Sequence, residues 1–532
     1  MSVKIQTGVP FVDNLFPLIQ SFLEQDTLDL LVDNERIHGY RSPDSRAIWI
    51  RDYSDMFRGF RYFESDLKSV VQHFADTQKH TGQIFDYVTT FPEKLPCERE
   101  NWTKYVRVPV EADVEFRFVK AAFLAWQSTG DDLWMQTLLP KLEKALRYAV
   151  SHPWRWDEKS RLIKRAYTID TWDFAYTAGR HPWLQFQIDD RTFWGIMHGD
   201  NSGYFEAFQL LSKLFAYFGQ GQRAQEWTER AEHLKKQMNK ICWNGRFYTH
   251  FVKLTPVKIP GVDESKQLSL SNPMAINRGV ASHAMAVSIL REYLLRKKER
   301  QAVFEWFSID PPFPDGIFGD EKLVQGAYIN GGIFPLVGGE LAKAAFEHGF
   351  EWYGVDILQR YYDLIAQTGE TYLWYFPDGR PSTVDTSTSP EAMPTDGWGS
   401  SAMAYALVEG LAGVSDTGRL WDALTLSPRW PAAKISQAEV EVGYDVSNRG
   451  VHYTYNLEER SLSMNIRTPE AQILARVLLP EGQNAQAIFV NGRPVEFSEE
   501  TIESSRYAIF QWQNRGEGKV RIALSLPPKV LD

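Results

Sequence analysis

Hydrophobic residues recur with helical spacing along most of the first 415 residues. Apolar side chains at i, i+3, i+4 and i+7 run through FVKAAFLAWQSTG and DDLWMQTLLPKLEKALRYAVSH, which together predict a helical hairpin. The same format returns from Gly203, with FGQGQ as the turn, and from Gly338, with HGFEWYG as the turn. Repeated helix pairs predict a closed or stacked α array.

Six long connections separate these predicted helices. Connections longer than about 12 to 15 residues in a compact domain are usually functional. Loops that alternate with helical hairpins predict a mainly α fold, an (α/α)6 toroid whose functional site lies at one end, and a solenoid is the alternative. The connections are residues 37–53, 86–115, 153–200, 243–278, 308–334 and 369–397.

The pattern changes to a period of two near residue 432. AEVEVGYDV, GVHYTYNL, SLSMNIRT, AIFVNGRPVEF and KVRIALSL alternate apolar and polar positions, with turn residues between them. This alternation predicts a C-terminal antiparallel β-sandwich domain over residues 432–532, after a barrel domain over residues 1–431.

Composition narrows the classes of partner. A net charge of -10 opposes nucleic acid, which needs a concentrated basic face. The mean hydropathy of -0.36, with no apolar run of eighteen residues, opposes a membrane protein. The N-terminus lacks the pattern of a secretory signal, so we expect a cytoplasmic protein, and homo-oligomerisation stays open. Cys97 and Cys242 are far apart and are expected to be buried thiols.

Aromatic residues make up 14% of the chain and include 18 tryptophans. Flat apolar rings suit stacking on sugar rings, although a large helical core also uses aromatics as filler. We find no G-x-S-x-G elbow, P-loop, dinucleotide fingerprint or H-E-x-x-H sequence, so no metal and no organic cofactor is expected.

The stretch IDTWDF places two carboxylates, Asp170 and Asp173, on either side of Trp172. A carboxyl held against aromatic faces loses solvation, which raises its pKa toward the value that a general acid needs. The alternative is a helix N-terminus, with Asp170 as N-cap, Asp173 as its first-turn partner and Trp172 in the core.

Three further stretches carry candidate side chains. In WIRD, Arg51 and Asp52 can offer paired donors and acceptors to vicinal hydroxyls, or form a structural ion pair at a helix start. In YINGGIFP, glycines around Asn330 allow close approach of the backbone to a ligand, or serve only a tight loop. Residues 369–403 hold Glu370 and Glu391, while the neighbouring Asp-Gly pairs have the composition of turns.

These stretches resemble, in order, motifs of the (α/α)6-barrel glycosidases: the glucoamylase, trehalase and glycogen-debranching glucosidase families. WIRD is similar to the segment that grips the terminal sugar, and TWDFAYTAGR resembles the trehalase segment whose Asp is the general acid, which implies Asp173. YTID resembles a debranching-family segment and implies Asp170 instead. YINGGIFP and TDGWGSSAMAYALVEGLAGV resemble further family segments. The resemblance implies sugar contacts from the residues Trp49, Arg51, Asp52, Trp172, Asn330, Trp374 and Trp398.

One position departs from these families. LWYFPDG has Leu373 where they place a general-base Glu, so Glu370 and Glu391 are the available substitutes. The resulting hypothesis is an exo-acting, inverting glycoside hydrolase whose partner is a small carbohydrate. A disaccharide phosphorylase is an alternative, since phosphate attacks without a base. A non-catalytic carbohydrate-binding protein that kept the barrel is another.

Overall fold

The helices of this protein are of two kinds. Some are buried on all sides, and others are buried only along one row of residues. All eleven residues of the helix Ile50–Phe60 are buried. In the helix Gly221–Cys242 the buried residues recur every three or four positions, from Ala224 and Trp227 to Met238 and Cys242. A helix with a single apolar stripe covers a core from outside, whereas a helix without an exposed face lies within it. The sequence therefore builds two concentric layers.

The computed structural model describes residues 2–43, 45–91, 102–180, 188–386 and 395–526. Its α-helices are α1 (Pro10–Gln25), α2 (Ile50–Phe60), α3 (Ser69–Asp76), α4 (Val114–Thr129), α5 (Asp132–Ala149), α6 (His198–Tyr217), α7 (Gly221–Cys242), α8 (Ser271–Asn277), α9 (His283–Glu299), α10 (Pro335–Glu347), α11 (Glu351–Thr368) and α12 (Trp398–Tyr405). A π-helical segment, Ala406–Leu411, continues α12.

The even-numbered helices close a ring. Helix α2 packs against α4, α4 against α6, α6 against α8, α8 against α10, α10 against α12, and α12 returns to α2. The odd-numbered helices lie outside, with α5 on α4, α7 on α6, α9 on α8 and α11 on α10. Helix α1 packs against α2, α11 and α12 and fills the outer layer where the chain begins and the ring ends. The predicted α/α toroid is present, and the solenoid alternative is wrong.

The prediction of a mainly α protein is wrong, because the chain is 38% helix and 26% strand. The strands are β1 (Val3–Gln6), β2 (Thr27–Val32), β3 (Glu35–Tyr40), β4 (Ala47–Trp49), β5 (Tyr87–Phe91), β6 (Trp102–Val106), β7 (Trp156–Asp157), β8 (Leu162–Ala166), β9 (Trp194–Ile196), β10 (Val252–Lys253), β11 (Leu268–Ser269), β12 (Ile309–Asp310), β13 (Val414–Asp416), β14 (Ala423–Leu426), β15 (Gln437–Tyr444), β16 (Arg449–Glu458), β17 (Ser461–Leu478), β18 (Ala485–Val490), β19 (Arg493–Pro494), β20 (Ser498–Ile502) and β21 (Ser505–Leu524).

Much of the unexpected strand lies in the long connections at one end of the barrel. Strands β4, β5 and β6 form one small antiparallel sheet, β7 to β10 form a second, and β11 pairs with β12. Short strands tie each loop to itself or to its neighbour by backbone hydrogen bonds. The loops therefore hold side chains at fixed positions above the barrel.

The C-terminal sheet is one hydrogen-bonded array of ten strands. It is antiparallel except where β14 pairs with β17 in parallel, and it recruits β1 from the N-terminus as well as β13 and β14. These three strands lie before residue 432, while the division of the chain at that residue stays a prediction. The sheet is continuous from strand to strand, and the sandwich arrangement likewise stays a prediction.

Candidate active site

The inner helices begin at the same end of the ring, where the long connections also lie. Arg51 at the start of α2 donates to Asp113, the N-cap residue of α4. Trp398, the first residue of α12, donates through its indole Nε1 to Asp55 of α2 over 3.0 Å. Helix N-termini carry partial positive charge, which favours carboxylates at this end. We call this end, with its loops, the mouth.

Asp173 lies in the mouth and retains partial solvent exposure. Burial raises the pKa of Asp173 to about 7, with a further increase from the carboxyl of Glu111 and an opposing decrease from Arg51. The carboxyl group is thus close to half protonated near neutral pH. It combines access to a ligand with a transferable proton, which are the two requirements of a general acid.

Arg51 is buried and already occupied by two carboxyl groups. Its Nη2 atom lies 2.8 Å from Glu111 Oε1 and 3.0 Å from Asp113 Oδ1. Its guanidinium also lies 5.9 Å from the centre of the Trp172 ring. Burial raises the pKa of Glu111 well above its ordinary value, and the adjacent Asp86 adds to this increase while Arg51 opposes it. Arg51 therefore supports the wall around Asp173.

A second arginine, Arg41, forms ion pairs on the other side of the mouth. Arg41 Nη1 lies 2.7 Å from Asp396 Oδ2 and 3.3 Å from Asp52 Oδ1. Asp396 also accepts a hydrogen bond from the backbone N–H of Trp398, the first residue of α12. Burial raises the pKa of Asp396 to about 7, although Arg41 lowers it. Asp396, which its Asp-Gly context suggested to be a turn residue, is a buried ion-pair partner.

Tyr328 joins the two sides of the mouth. The indole Nε1 of Trp172 donates to its hydroxyl over 2.8 Å, and the two rings meet edge to face. Burial raises the pKa of Tyr328, and the negative charge of Asp173 adds to the increase. Tyr328 has a φ of 46°, a conformation that non-glycine residues rarely adopt. This backbone position lies two residues before Asn330 in the YINGGIFP loop.

Trp172 and Trp398 form the aromatic floor of the mouth. Their ring centres are 5.5 Å apart, and Phe334 packs on Trp172 from another side. Trp49, at the end of β4, packs on Tyr87 of β5 with 4.1 Å between ring centres and 33° between the ring planes, and it stays partly exposed. The aromatic residues predicted to hold a sugar therefore lie on the same side of the barrel as Asp173.

Asp170 is placed differently from Asp173 despite their proximity in sequence. It is fully buried, and its carboxylate accepts hydrogen bonds from Thr171 N, Ser271 N and Ser271 Oγ. Its own N–H donates to His250 Nε2 over 2.9 Å. Although burial opposes it, the neighbouring His198 and the hydroxyl groups of Ser269 and Ser271 lower the pKa of Asp170. Asp170 is an ionised anchor that ties the IDTWDF loop to the start of α8.

Close packing of α6 against the IDTWDF loop and the start of α8 also holds Asp170 in place. Gly199 in the first turn of α6 lies against Ser271 and Thr171, and a Cβ atom at Gly199 would come within 2.4 Å of Ser271 Oγ. A glycine is therefore needed for α6, α8 and the loop to meet. The alternative of a helix N-terminus at Asp170 is wrong, because no helix begins in the described residues between β8 and β9.

Two predicted binding residues lie below the surface of the mouth. The amide of Asn330 donates to the carbonyls of Phe313 and Leu323 and accepts from Phe313 N, so it holds the loop together. Trp374 is buried against Tyr328 and Phe376. Both residues shape the surroundings of Tyr328.

Of the two candidates for the base, one lies within the described residues. Glu370 follows the end of α11, is partly exposed and raises the pKa of the buried Asp26, after the larger effects of burial and Asp396. This places Glu370 within electrostatic range of Asp26, which in turn is close to Asp396. Glu391 falls at residues 387–394, outside the described residues.

No cluster of three or more metal-ligating side chains occurs in the part of the chain that the structure describes. Over the same residues, no helix is long and apolar enough to cross a membrane. Cys242 is buried, as expected, and Cys97 lies outside the described residues.

The fold and its mouth define an α/α-barrel protein with an appended antiparallel sheet. No protein-family model and no curated protein sequence matches the chain. Solved structures with the same fold include the α-L-rhamnosidase of Dictyoglumus thermophilum, with a TM-score of 0.60 and 11% identity over 98% of this chain and 50% of that one. The α-L-rhamnosidase of Streptomyces avermitilis, complexed with L-rhamnose, has a TM-score of 0.60 and 12% identity over 98% of this chain and 42% of that one.

A third similar structure is the mannosylglycerate hydrolase of Thermus thermophilus in complex with glucose. It has a TM-score of 0.50 and 12% identity, over 75% of this chain and the whole of that one. The present chain thus spans half or less of the two rhamnosidase chains, and about three quarters of its own length is shared with the smaller hydrolase. At these identities the likeness shows the fold alone, since one fold hosts many activities.

Proposed function

We propose that this chain is a glycoside hydrolase that releases a terminal sugar with inversion, and that Asp173 is its general acid. The observation that carries the proposal is a partly exposed carboxyl group with a pKa of about 7 at the mouth of an α/α barrel. The shared fold of rhamnosidases and a mannosylglycerate hydrolase supports it. A small carbohydrate as the partner and a cytoplasmic location are parts of the same proposal.

The acid step uses the proton that burial keeps on Asp173. As the bond between the anomeric carbon and the glycosidic oxygen breaks, Asp173 transfers its proton to that oxygen and becomes a carboxylate. A water molecule attacks the anomeric carbon from the opposite face and gives its proton to a second carboxylate. Arg51, near Asp173, favours the carboxylate that forms. Trp49, which is partly exposed, is proposed to contact the sugar, whereas Asp52 is buried and pairs with Arg41.

The second carboxylate is proposed to be Glu370 or Glu391. An inverting enzyme needs about 6.5 to 9.5 Å between its two carboxyl groups, because water must fit between the base and the sugar. We expect replacement of the true base by Gln to remove most of the turnover, and azide to restore it as a glycosyl azide of inverted configuration. Replacement of the other glutamate is the matched control. Full activity in both variants would exclude both residues.

The function is tested by a screen of aryl and natural α- and β-glycosides, with NMR detection of the first sugar anomer released. Rhamnosides and mannosides enter the screen first, because proteins with this fold act on such sugars. Turnover with an inverted product supports the proposal. A retained product contradicts inversion, and no turnover of any glycoside contradicts a hydrolase.

The same screen separates the alternatives. A phosphorylase would release a sugar 1-phosphate only when phosphate is present. A non-catalytic carbohydrate-binding protein would bind sugars without turnover in either medium. Parallel reactions with and without phosphate, followed by NMR, therefore assign the chain to one of the three classes.

The pH dependence follows from the pKa of Asp173. The acid must be protonated to act, so kcat/KM should fall about tenfold for each pH unit above about pH 7. A pH series with an aryl glycoside of a poor leaving group measures this limb. With a substrate whose leaving group needs no proton, most of this decrease in kcat/KM above pH 7 should disappear. If the decrease is unchanged on such a substrate, it comes from the titration of a group other than Asp173.

A further inference from the structure

A polar hollow lies on the outer wall of the barrel, away from the inner-helix N-termini. Its volume is about 670 Å³, and Trp352, His283, Arg291, Thr501 and Glu503 are among its lining residues. We call it the Trp352 pocket. It forms where α9, the turn between α10 and α11, and the hairpin of β20 and β21 meet. The volume falls within the range of about 300 to 1,000 Å³ of small-molecule sites.

Trp352 supplies an apolar plane to this pocket. It lies in the first turn of α11 and is 55% exposed, the largest exposure among the tryptophans of the described residues. Its ring centre lies 5.6 Å from that of Tyr353. The rest of the indole faces solvent. Single exposed apolar residues are common and need no explanation alone. Here the indole borders a hollow that polar side chains also line.

The polar wall is held by paired charges. Glu503 accepts from Arg291 over 3.1 Å and lies 3.4 Å from His283 Nε2. Because Arg291 and Glu503 neutralise one another, the wall attracts neither strong anions nor strong cations. It still presents N–H donors and oxygen acceptors, together with the hydroxyl of Thr501. Such a set matches the hydroxyl groups of a neutral sugar.

Close packing and a hydrogen bond join the two turns that border the pocket. Gly349 has a φ of 83°, and a Cβ atom there would lie 2.5 Å from the carbonyl oxygen of Ile502, so the two turns approach more closely than any other residue would allow. Ser505 Oγ donates to Glu351 over 2.6 Å and fixes the hairpin to the start of α11. A preformed wall lowers the entropic cost of binding.

We propose that the Trp352 pocket is a second carbohydrate-binding site, which takes a neutral saccharide by stacking one sugar ring on Trp352. A single indole in a polar hollow is too small an apolar area for a stable protein interface, which buries about 1,200 Å² or more in total. Binding at this pocket does not rest on the proposed function, because the pocket is lined by residues outside the mouth.

The test is native electrophoresis in gels cast with a soluble neutral glucan, mannan, xylan or galactan. The parent protein is the Asp173→Asn variant, so that no polysaccharide is degraded. We expect retardation by at least one polysaccharide, and an apparent affinity about tenfold weaker after Trp352→Ala, since a stacked aromatic ring of this size contributes about that factor. Trp154→Ala, at another exposed tryptophan, is the matched control and should leave retardation unchanged.

Other outcomes separate the competing explanations. Equal retardation of the parent and of Trp352→Ala would place binding at the mouth and overturn the proposal. No retardation in any of the four gels would overturn it as well. A concentration-dependent dimer in sedimentation that Trp352→Ala abolishes would make the pocket an interface between two copies and overturn it too. Turnover of small aryl glycosides by the otherwise native chain, measured separately, reports on the proposed function and should not change with Trp352→Ala.

Discussion

Replacing Asp173 by Asn should lower kcat about 10²- to 10⁴-fold on glycosides with poor leaving groups, the usual contribution of a general acid. The amide keeps the shape of the side chain but carries no transferable proton. On glycosyl fluorides or dinitrophenyl glycosides the loss should shrink to a small factor, because these leaving groups depart without protonation. Steady-state kinetics on both substrate types measure the difference.

The matched control is Asp190→Asn, at an exposed carboxylate of the same connection. It should leave the kinetics on both substrates unchanged. An Asp173→Asn loss that is equal on good and poor leaving groups would contradict the role of acid and indicate a role in binding or folding.

The stability of Asp173→Asn separates chemistry from folding. The pKa of Asp173 rises from 3.8 to about 7 on folding, so the folded protein binds more protons than the unfolded chain between these values. Its contribution to stability is therefore fully present at low pH and is lost as the pH rises through about 7. Above pH 7, Asp173→Asn should melt at or above the temperature of the native protein while its activity is lost.

The α layer of this fold follows from the sequence because its helices have regular patterns. The stripe of apolar residues in α7 predicts an outer helix directly. Helix α2 is harder, since IRDYSDMFRGF contains several charged residues yet is buried throughout. Arg58 pairs with Glu340 of α10, and Asp55 pairs with Arg117 of α4. Only the closed ring brings these partners together, so local polarity alone suggests an exposed face.

The C-terminal sheet also has a feature that the sequence pattern does not predict. SLSMNIRT and ILARVLLP have the pattern of two strands, but β17 runs through both. A register shift between Arg467 and Glu470 inserts one extra residue, so buried positions change from even numbers at Met464 and Ile466 to odd numbers at Ile473 and Ala475. The bulge keeps the same face buried while the alternation changes phase. A pattern of period two cannot distinguish this from a turn.

The candidate site also contains residues that the sequence predicts and residues that only the structure reveals. Its local motifs, WIRD and IDTWDF, carry residues that the structure brings to the mouth. Tyr328, Arg41 and Asp396 could not be selected from sequence, because their importance lies in contacts with residues far along the chain, as in the pairing of Arg41 with Asp396. Nor could the sequence show that Asp170 points into the core while Asp173 reaches solvent.

That difference makes Asp170 the most sensitive anchor of the acid loop. Replacing Asp170 by Asn should lower the free energy of unfolding by about 2 to 4 kcal/mol, because hydrogen bonds to a charged group contribute about 1.5 to 3 kcal/mol each. The new NH2 group would face Ser271 and Thr171 N–H donors that need an acceptor. Denaturant titration monitored by circular dichroism measures the change. Ser271→Ala, which removes one hydroxyl donor, should cost about half as much.

The kinetic signature of Asp170→Asn should differ from that of Asp173→Asn. A displaced loop misplaces Asp173 and Trp172 together, so sugar binding and proton transfer both suffer. We expect kcat/KM to fall by a similar factor on substrates with good and with poor leaving groups. The decrease of kcat/KM with rising pH should still begin near pH 7, because Asp173 is still the acid. If instead the loss is confined to poor leaving groups while stability is unchanged, Asp170 is the acid and the assignment of the two carboxyl groups must be exchanged.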